Sequence, residues 1–502
     1  MRGGSAIKPV SLLLAYLAAL SGCGACASDA PAPIDASSRD GAGPGVVRFD
    51  PLERRFTVSN DLVGIHFVYS IEDDAIYDGD WFAEWAGEAG IAAARYPGGT
   101  VVKYWDWRQP TGVFSGDRWD PEFDPSDTAP DSRWMSLDEF LAFARRAGIK
   151  PILGVNLLSG KRFGREKESI ERAARMVEYV RDEGFSGADW YLGNEEIHLH
   201  GGIESYAKTF RRHAAAMKDV DPAIEVFWND NAGDPDRIRE FLAHDGGTAD
   251  GYETHGKWPF GGAPEGYAPV SIEEWRTEYP LRDRKNFDAA SGGRVWRDSA
   301  GFYRKIAHSA GRPELRIANN EYGLGKPENL VGFDRFTHGL LLTDMLSELL
   351  IGNWDSTAYW SSNLVFRDAD RRTGDGGYSR GLIAVGGGKK LNPFHLGMQL
   401  IAAAQGGEFV TDFAVNPSVY GYAVRQDRIL LVFVINKSLE NREIRFEIEG
   451  AIPEAMTTML RGSGDFGVLR HEDFAPDDQS VEIGMAPETF VRLQMRLPAS
   501  LK

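Results

Sequence analysis

Residues 151–196 read PILGVNLLSGKRFGREKESIERAARMVEYVRDEGFSGADWYLGNEE. The stretch opens on an apolar run of strand length, 151–160, that ends in Asn156 and small or polar residues. Residues 168–184 then carry apolar side chains at three- and four-residue spacing and stop at Gly184, which predicts an amphipathic helix. A second short apolar run, 189–192, ends in Gly193-Asn194, and two glutamates follow at once. A strand, a helix and a strand in this order imply a parallel pair, because a parallel return needs a crossover of about this length. Carboxylates at the end of a buried strand have no packing role there, so they mark a place where chemistry is wanted.

The same rhythm continues on both sides. Upstream lie LVGIHFVYS (62–70), the helical WFAEWAGEAG (81–90) and AAARYP (92–97), halted by Pro97. SLDEFLAFARRAG (136–148) is the clearest helix: Ser136 caps it, Glu139 sits three residues on and Gly148 closes it. Downstream, a helix stopped by Pro222 leads to the strand-like runs IEVFWN (224–229), DGYETH (250–255) and ELRIANN (314–320). A long apolar helix closed by Gly352 and a last strand, STAYWSSN (356–363), complete the series. Eight strands with helices between most of them predict an α/β fold, a closed (β/α)₈ TIM barrel. An open doubly wound sheet is the competitor, but no G-x-G-x-x-G follows the first strand.

Past residue 394 the period changes to two, in runs such as GYAVRQDRILLVFVINKS and ETFVRLQMRL. These predict a C-terminal antiparallel β-sandwich domain, and VVRFDPLERRF (46–56) reads as a strand pair that joins it. All thirteen Trp lie between Trp81 and Trp360, so the sandwich reads as structural support, without aromatic platforms for a sugar. The expected organisation is a lipoprotein signal peptide at 1–22, a flexible tether at 23–45, sandwich strands at 46–60, the barrel at 61–393 and the sandwich at 394–502.

The chain has 502 residues, a formal net charge of −18 and ordinary globular composition, 42% hydrophobic and 26% charged. An acidic surface repels phosphate backbones, so nucleic acid is excluded as a partner. Arg2 and Lys8 flank the start of an apolar run, 10–20, too short to span a bilayer, and Leu20-Ser21-Gly22-Cys23 resembles a bacterial lipobox with Cys23 as the lipidated residue. The reading is an exported protein of the bacterial cell envelope, in the outer membrane or periplasm, touching membrane only through that anchor. Beyond Cys26 there is no cysteine, which removes thiol nucleophiles and thiolate zinc sites. His198 and His200, two apart, do not converge on a metal, and GGGKK (386–390) lacks the pattern of a phosphate loop. The acidic stretch 117–127 lacks the twelve-residue calcium-loop pattern and reads as a solvated insertion.

In a parallel barrel the active site lies at the C-terminal strand ends. Asn194 and Glu195 hold that place on the fourth strand, and Glu321 holds it on the seventh, 126 residues later (321 − 195). Two carboxylates facing each other across a barrel mouth suit glycoside hydrolysis, one protonating the leaving oxygen and the other attacking the anomeric carbon. Glu196 is expected to pair with a loop group. Arg95, ending the second strand, is a candidate to hold the nucleophile ionised. His255 is a candidate to bond Glu321 or the substrate, Trp360 to stack on a sugar, and Asn156 to bond a hydroxyl. Trp258, with Trp105 and Trp107, is a candidate cleft aromatic. No cofactor or metal is needed; the partner is an oligo- or polysaccharide.

ARYPGG (94–99) followed by YWDW (104–107), together with IYDGDW (76–81), VNLLSG (155–160) and WYLGNEE (190–196), resembles the clan A retaining glycoside hydrolases, above all the α-L-arabinofuranosidases of family fifty-one. The resemblance implies that Glu195 is the acid/base, Glu321 the nucleophile and Asn194 the contact to the sugar 2-hydroxyl. Two segments depart from the family: Asn320-Glu321-Tyr322 stands for Asp-Glu-Trp, and 253–258, ETHGKW, for a Ser-x-His-x-Tyr pattern. The resemblance therefore implies an arabinofuranosidase-like enzyme, with xylosides, glucuronides, glucans and algal galactans as alternative substrates. A non-catalytic surface glycan-binding lipoprotein is the alternative from another class.

Overall fold

The computed structural model describes residues 34–35, 45–69, 72, 79–108, 135–230, 233–258, 270–283, 294–324, 330–362, 381–383, 390–461, 467–474 and 480–500. Cys23, most of the expected tether and the acidic stretch 117–127 lie outside them.

Eight parallel strands follow one another: β1 (Gly64–His66), β2 (Ala93–Tyr96), β3 (Lys150–Val155), β4 (Asp189–Leu192), β5 (Glu225–Asp230), β6 (Gly251–Thr254), β7 (Arg316–Leu324) and β8 (Ser356–Trp360). Each pairs with the next, and β8 pairs with β1, so the sheet closes. The barrel helices are α1 (Trp81–Glu88), α2 (Leu137–Ala147), α3 (Glu166–Asp182), α4 (Ile203–Val220), α5 (Pro235–His244), α6 (Trp296–Ser309), α7 (Arg335–Ile351) and α8 (Phe394–Ala402), one after each strand. The capping box expected at Ser136 and Glu139 is formed, and Gly148 takes the left-handed conformation that ends α2.

The expected boundary at 393/394 is corrected by α8. This helix packs across α7 through two glycines: a Cβ on Gly397 would meet Thr343 Oγ1 at 1.9 Å, and one on Gly339 would meet the Phe394 nitrogen at 2.7 Å. It completes the barrel, and the sandwich strands begin only at Glu408.

The barrel interior is filled in layers. At the base Arg316 bridges Asp61, Asp189 and Glu225, with Lys150 also on Asp61 and Asp189. Its guanidinium lies 5.2 Å from the Phe227 ring centroid. Phe227 and Tyr191 form a fully enclosed cluster with Ala93, Val102, Ile152 and Ala318. Space for the two rings comes from glycines: a Cβ at Gly154 would strike Tyr191 at 2.4 Å, and one at Gly251 would strike Phe227 at 2.1 Å. Arg95 lies 3.8 Å above the Tyr191 ring centroid and carries the stack to the mouth.

The C-terminal unit consists of β9 (Glu408–Asn416), β10 (Val419–Gln426), β11 (Ile429–Asn436), β12 (Arg442–Phe446), β13 (Ile452–Arg461), β14 (Gly467–Asp473), β15 (Val481–Met485) and β16 (Thr489–Arg496). The larger sheet runs 34–35, β9, β10, β11, β16, β13, β14, with 56–57 also on β9; the smaller runs 45–47, β12, β15. Alternate residues such as Phe413, Val432 and Leu493 of one sheet meet Ile444, Phe446 and Ile483 of the other. The early strands at 45–47 and 56–57 lie in the sandwich layers, but in different sheets, the first on β12 and the second on β9.

Candidate active site

The turn after β4 presents Glu195. Gly193 has φ +72°, and a Cβ there would lie 2.3 Å from Glu196 Oε1, so glycine is required on both counts. Glu195 itself has φ +51°, a conformation uncommon outside glycine and found at functional sites. It is held by Asn229 at the end of β5, whose Oδ1 accepts the Glu195 N–H at 2.6 Å while its Nδ2 donates to the Gly193 carbonyl at 2.6 Å. Glu196 turns inward and bonds His200 Nε2 at 2.9 Å, the pairing with a loop group expected of it. Of the two adjacent glutamates, Glu195 reaches the mouth.

Glu321 comes from an irregularity in β7. The register to β8 shifts between Asn319 and Tyr322, and such a bulge re-aims a side chain. Its carboxylate abuts the Pro-Gly-Gly turn after β2: a Cβ on Gly99 would stand 3.2 Å from Glu321 Oε2 and 3.7 Å from Asn194 Nδ2. The Tyr191 hydroxyl holds that turn by donating to the Gly98 carbonyl at 2.5 Å. An oxygen of Glu195, His255 Nδ1 and an oxygen of Glu321 all lie within 4.8 Å of one another. Glu195 is the more accessible carboxylate, its side chain 23% exposed against 9% for Glu321.

Beneath them lies a buried charge network. Arg95 donates from Nη2 to Glu253 Oε1 at 2.7 Å and to Asn194 Oδ1 at 2.8 Å, while its Nη1 stands 3.1 Å from His66 Nε2 and 3.5 Å from Glu321 Oε2. Arg95, the candidate to hold the nucleophile ionised, lies within ion-pair distance of Glu321, while its shorter bonds go to Glu253 and Asn194. His255, the candidate to bond Glu321 or the substrate, also makes its short bonds elsewhere. Its Nδ1 bonds Glu195 Oε1 at 2.6 Å and its Nε2 bonds Glu253 Oε1 at 2.9 Å, while Glu321 lies 3.8 Å away. Burial works against the imidazolium, but the charge of Glu321 and the bonds to Glu195 and Glu253 hold the His255 pKa above its usual value. Glu253, fully buried, is kept below the usual carboxylate range: burial opposes its charge, and Arg95, His255 and Asn320 more than offset that. The 2.6 Å contact suits a shared proton; two donors ~2.0–2.1 Å from one tetrahedral zinc would stand roughly 3.3 Å apart.

Asn194 is buried, and Arg95, a donor only, fixes its Oδ1, leaving Nδ2 toward Glu321. Trp360 ends β8, partly buried against the main core and in register with His66. The Trp258 backbone runs beside Leu324, and its side chain is outside the described residues. Asn156 does not join the cluster. Its Oδ1 accepts the Ser159 N–H at 3.0 Å and its Nδ2 donates to Ser159 Oγ and the Trp105 carbonyl, so its amide secures the following turn. Trp105 and Trp107 pack on Tyr96 and Tyr179. Beside Glu195 opens a cleft of about 540 Å³ lined by Ile197, His198, Ile203, Asp230, Arg237 and Glu240. The sequence reading missed Glu253, His66, Asn229 and Asn320. For Glu253 a signal existed, since residues two apart on a strand share a face, and His255 is its neighbour on that face.

The barrel and the sandwich together define a glycoside-hydrolase fold related to that of arabinofuranosidases. One solved arabinofuranosidase structure aligns over 89% of this chain and 99% of its own length, with a TM-score of 0.66 and 16% identity. An α-L-arabinofuranosidase from Thermotoga maritima, in complex with arabinose, aligns over 90% and 99% with a TM-score of 0.66 and 15% identity. A bifunctional glucanase-xylanase from a metagenome library aligns over 90% and 99% with a TM-score of 0.62 and 13% identity. No family model matches the sequence. In sequence, 153 residues are 26% identical to an intracellular exo-α-(1→5)-L-arabinofuranosidase of Streptomyces lividans, a match over 28% of this chain and 23% of that protein.

Proposed function

We propose that the protein is a retaining glycoside hydrolase, arabinofuranosidase-like in substrate, with Glu321 as nucleophile and Glu195 as acid/base. The observation that carries the reading is the approach of oxygens of the two glutamates to within 4.8 Å at one barrel mouth. An oxygen pair that near accords with carboxyl groups at the separation of about 5–5.5 Å used by retaining enzymes, rather than the roughly 6.5–9.5 Å that leaves room for an inverting water. In the first step Glu321 attacks the anomeric carbon as Glu195 gives its proton to the departing oxygen, and a glycosyl ester forms on Glu321. In the second, Glu195 takes a proton from water, the water oxygen attacks the same carbon, and the ester bond breaks. Asn194, whose Oδ1 accepts from Arg95, would offer its Nδ2 to the sugar beside the nucleophile. The cleft next to Glu195 is where the leaving group would lie, and its lining offers carboxylates, a guanidinium and two isoleucines.

The test is hydrolysis of aryl arabinofuranosides, xylosides, glucuronides and galactosides, with the anomer of the first product read by NMR. Arabinofuranoside turnover with retention is the expected result. Inversion would overturn the double-displacement mechanism and the nucleophile role of Glu321, and no turnover across the panel by wild type and Glu321→Ala alike would remove the enzymatic reading in favour of glycan binding. The lipobox-like 20–23 supports a further part of this proposal, acylation of Cys23 and tethering at the cell envelope. Labelled palmitate that fails to enter the wild type would sink it.

A further inference from the structure

We propose that Glu253 is a positioning residue for the acid/base: it fixes a hydrogen on His255 Nε2, so that Nδ1 is the atom that shares a proton with Glu195. The inference rests on the functional reading above and extends it to a third, buried carboxylate.

Glu253 Oε1 lies 2.7 Å from Arg95 Nη2 and 2.9 Å from His255 Nε2, and its Oε2 accepts from Asn320 Nδ2 at 3.0 Å. Ser356 donates to Asn320 Oδ1 at 2.7 Å, which leaves Nδ2 as the group facing Glu253. An ionised carboxylate only accepts, so each of its three neighbours must donate. His255 Nε2 therefore keeps its hydrogen whether the ring is neutral or charged. When the ring is neutral, Nδ1 is a bare acceptor 2.6 Å from Glu195 Oε1, and the bond between them needs the hydrogen to come from Glu195. When the ring is charged, the same hydrogen sits on Nδ1. The two states differ only in the position of one proton, and in both the pair holds the proton that the leaving group will need. Without an anion at Nε2, the neutral ring is free to carry its single hydrogen on Nδ1 and donate it to an ionised Glu195, an acid already discharged.

Among the described residues, the titratable and charged groups around this pair are Arg95 from β2 with His66 beyond it, His198, Asp230, Arg237 and Glu240 in the cleft beside Glu195, Glu253 from β6 and Glu321 from β7. Removing the charge of Glu253 also frees Arg95 toward Glu321, so the acidic limb of the rate profile moves down as well. The basic limb is the diagnostic one, because it reports loss of the proton held by Glu195 and His255.

Glu253→Gln is expected to move the basic limb of kcat/KM to lower pH by about one unit. At neutral pH it is expected to lower turnover of glycosides with poor leaving groups on the order of 10²-fold, the lower end of what general acid catalysis supplies. Dinitrophenyl glycosides, which leave without a proton, should lose far less. In a His255→Gln background the same change should produce no further shift of the basic limb. Equal losses for good and poor leaving groups, or a shift that persists without His255, would overturn the proposal. A measurement on the unaltered protein covers failure of the variants to fold: with ¹⁵N-labelled histidine, His255 should show a protonated Nε2 at every pH, and a neutral ring protonated at Nδ1 would overturn it. Absence of any wild-type turnover would instead defeat the functional reading, while the nitrogen spectrum still decides the tautomer.

Discussion

At the scale of single residues, the turn 193–195 depends on a neighbour in another strand. Asn229 uses both ends of its amide on this turn, one for the Glu195 N–H and one for the Gly193 carbonyl. Both groups lose their partner in Asn229→Ala, and Glu195 loses the constraint that keeps it at φ +51°. Unmaking buried hydrogen bonds costs about 1–3 kcal/mol each, and misplacing a reacting group by about 1 Å can cost 10²-fold in rate. The variant is expected to fold with a lowered Tm and to lose on the order of 10²-fold in kcat with a smaller change in KM. An unchanged kcat would show that the turn holds its shape unaided. This dependence was not legible in the sequence, where Asn229 is one polar residue after an apolar run. Glu195 and Glu321 were legible because strand ends in a barrel point to one place. Asn156 misled for the same reason: a strand-end asparagine also caps the next turn, and here its amide is spent on Ser159.

At the scale of elements, periodicity exposed the amphipathic helices, and it failed where a helix has no wet side. FHLGMQLIA, residues 394–402, is buried at seven of nine positions, so α8 shows no polar stripe to read. The bulge in β7 was equally hidden, since a register shift is a property of two strands and leaves no mark in one. A different helix contact makes a pH prediction. His213 on α4 is buried between Thr209, whose carbonyl takes the Nδ1 hydrogen at 2.9 Å, and Ser169 of α3, 3.0 Å from Nε2. Burial lowers its pKa from 6.5 to about 4, with Thr209 acting in the opposite sense. The folded state thus holds this ring neutral where the unfolded chain would protonate it. Its contribution to stability is complete above pH about 6.5 and is lost as pH falls toward about 4, by roughly 1.4 kcal/mol per unit. Urea titrations from pH 7 to 4 should show this slope, and His213→Gln should flatten it by about one proton. Identical slopes in the two proteins would assign the acid sensitivity elsewhere.

At the scale of the whole molecule, a chain of net charge −18 joins its two layers of structure around a few buried cations. Arg297 on α6 bonds Glu348 of α7 through Nε at 2.7 Å and a second contact from Nη2, and it reaches Asp412 of β9 at 2.9 Å and the Tyr279 hydroxyl at 3.0 Å. Arg55, before the first sandwich strand pair closes, takes the other oxygen of Asp412 at 2.8 Å. Lys437 at the end of the β10–β11 hairpin pair is fully buried, donates to the Glu278 carbonyl at 2.6 Å and stands 3.4 Å from Asp344. The barrel and the sandwich therefore share charges that neither satisfies alone. Burial pushes the Glu348 pKa up, and Arg297 pulls against it. Arg297→Met keeps the apolar stem and removes the cation, so buried Glu348 loses its guanidinium partner while Asp412 keeps Arg55. Breaking a buried pair on one side costs about 3–5 kcal/mol, and the loss should be largest where the abandoned carboxylate is ionised. With the folded pKa of Glu348 raised above its unfolded value by burial, the variant should be most stable at acidic pH and lose stability as pH rises through that folded value. Thermal unfolding at pH 5 and pH 8 checks this: the gap between wild type and Arg297→Met should widen at pH 8, and a gap independent of pH would mean that packing, rather than charge, joins the two layers here.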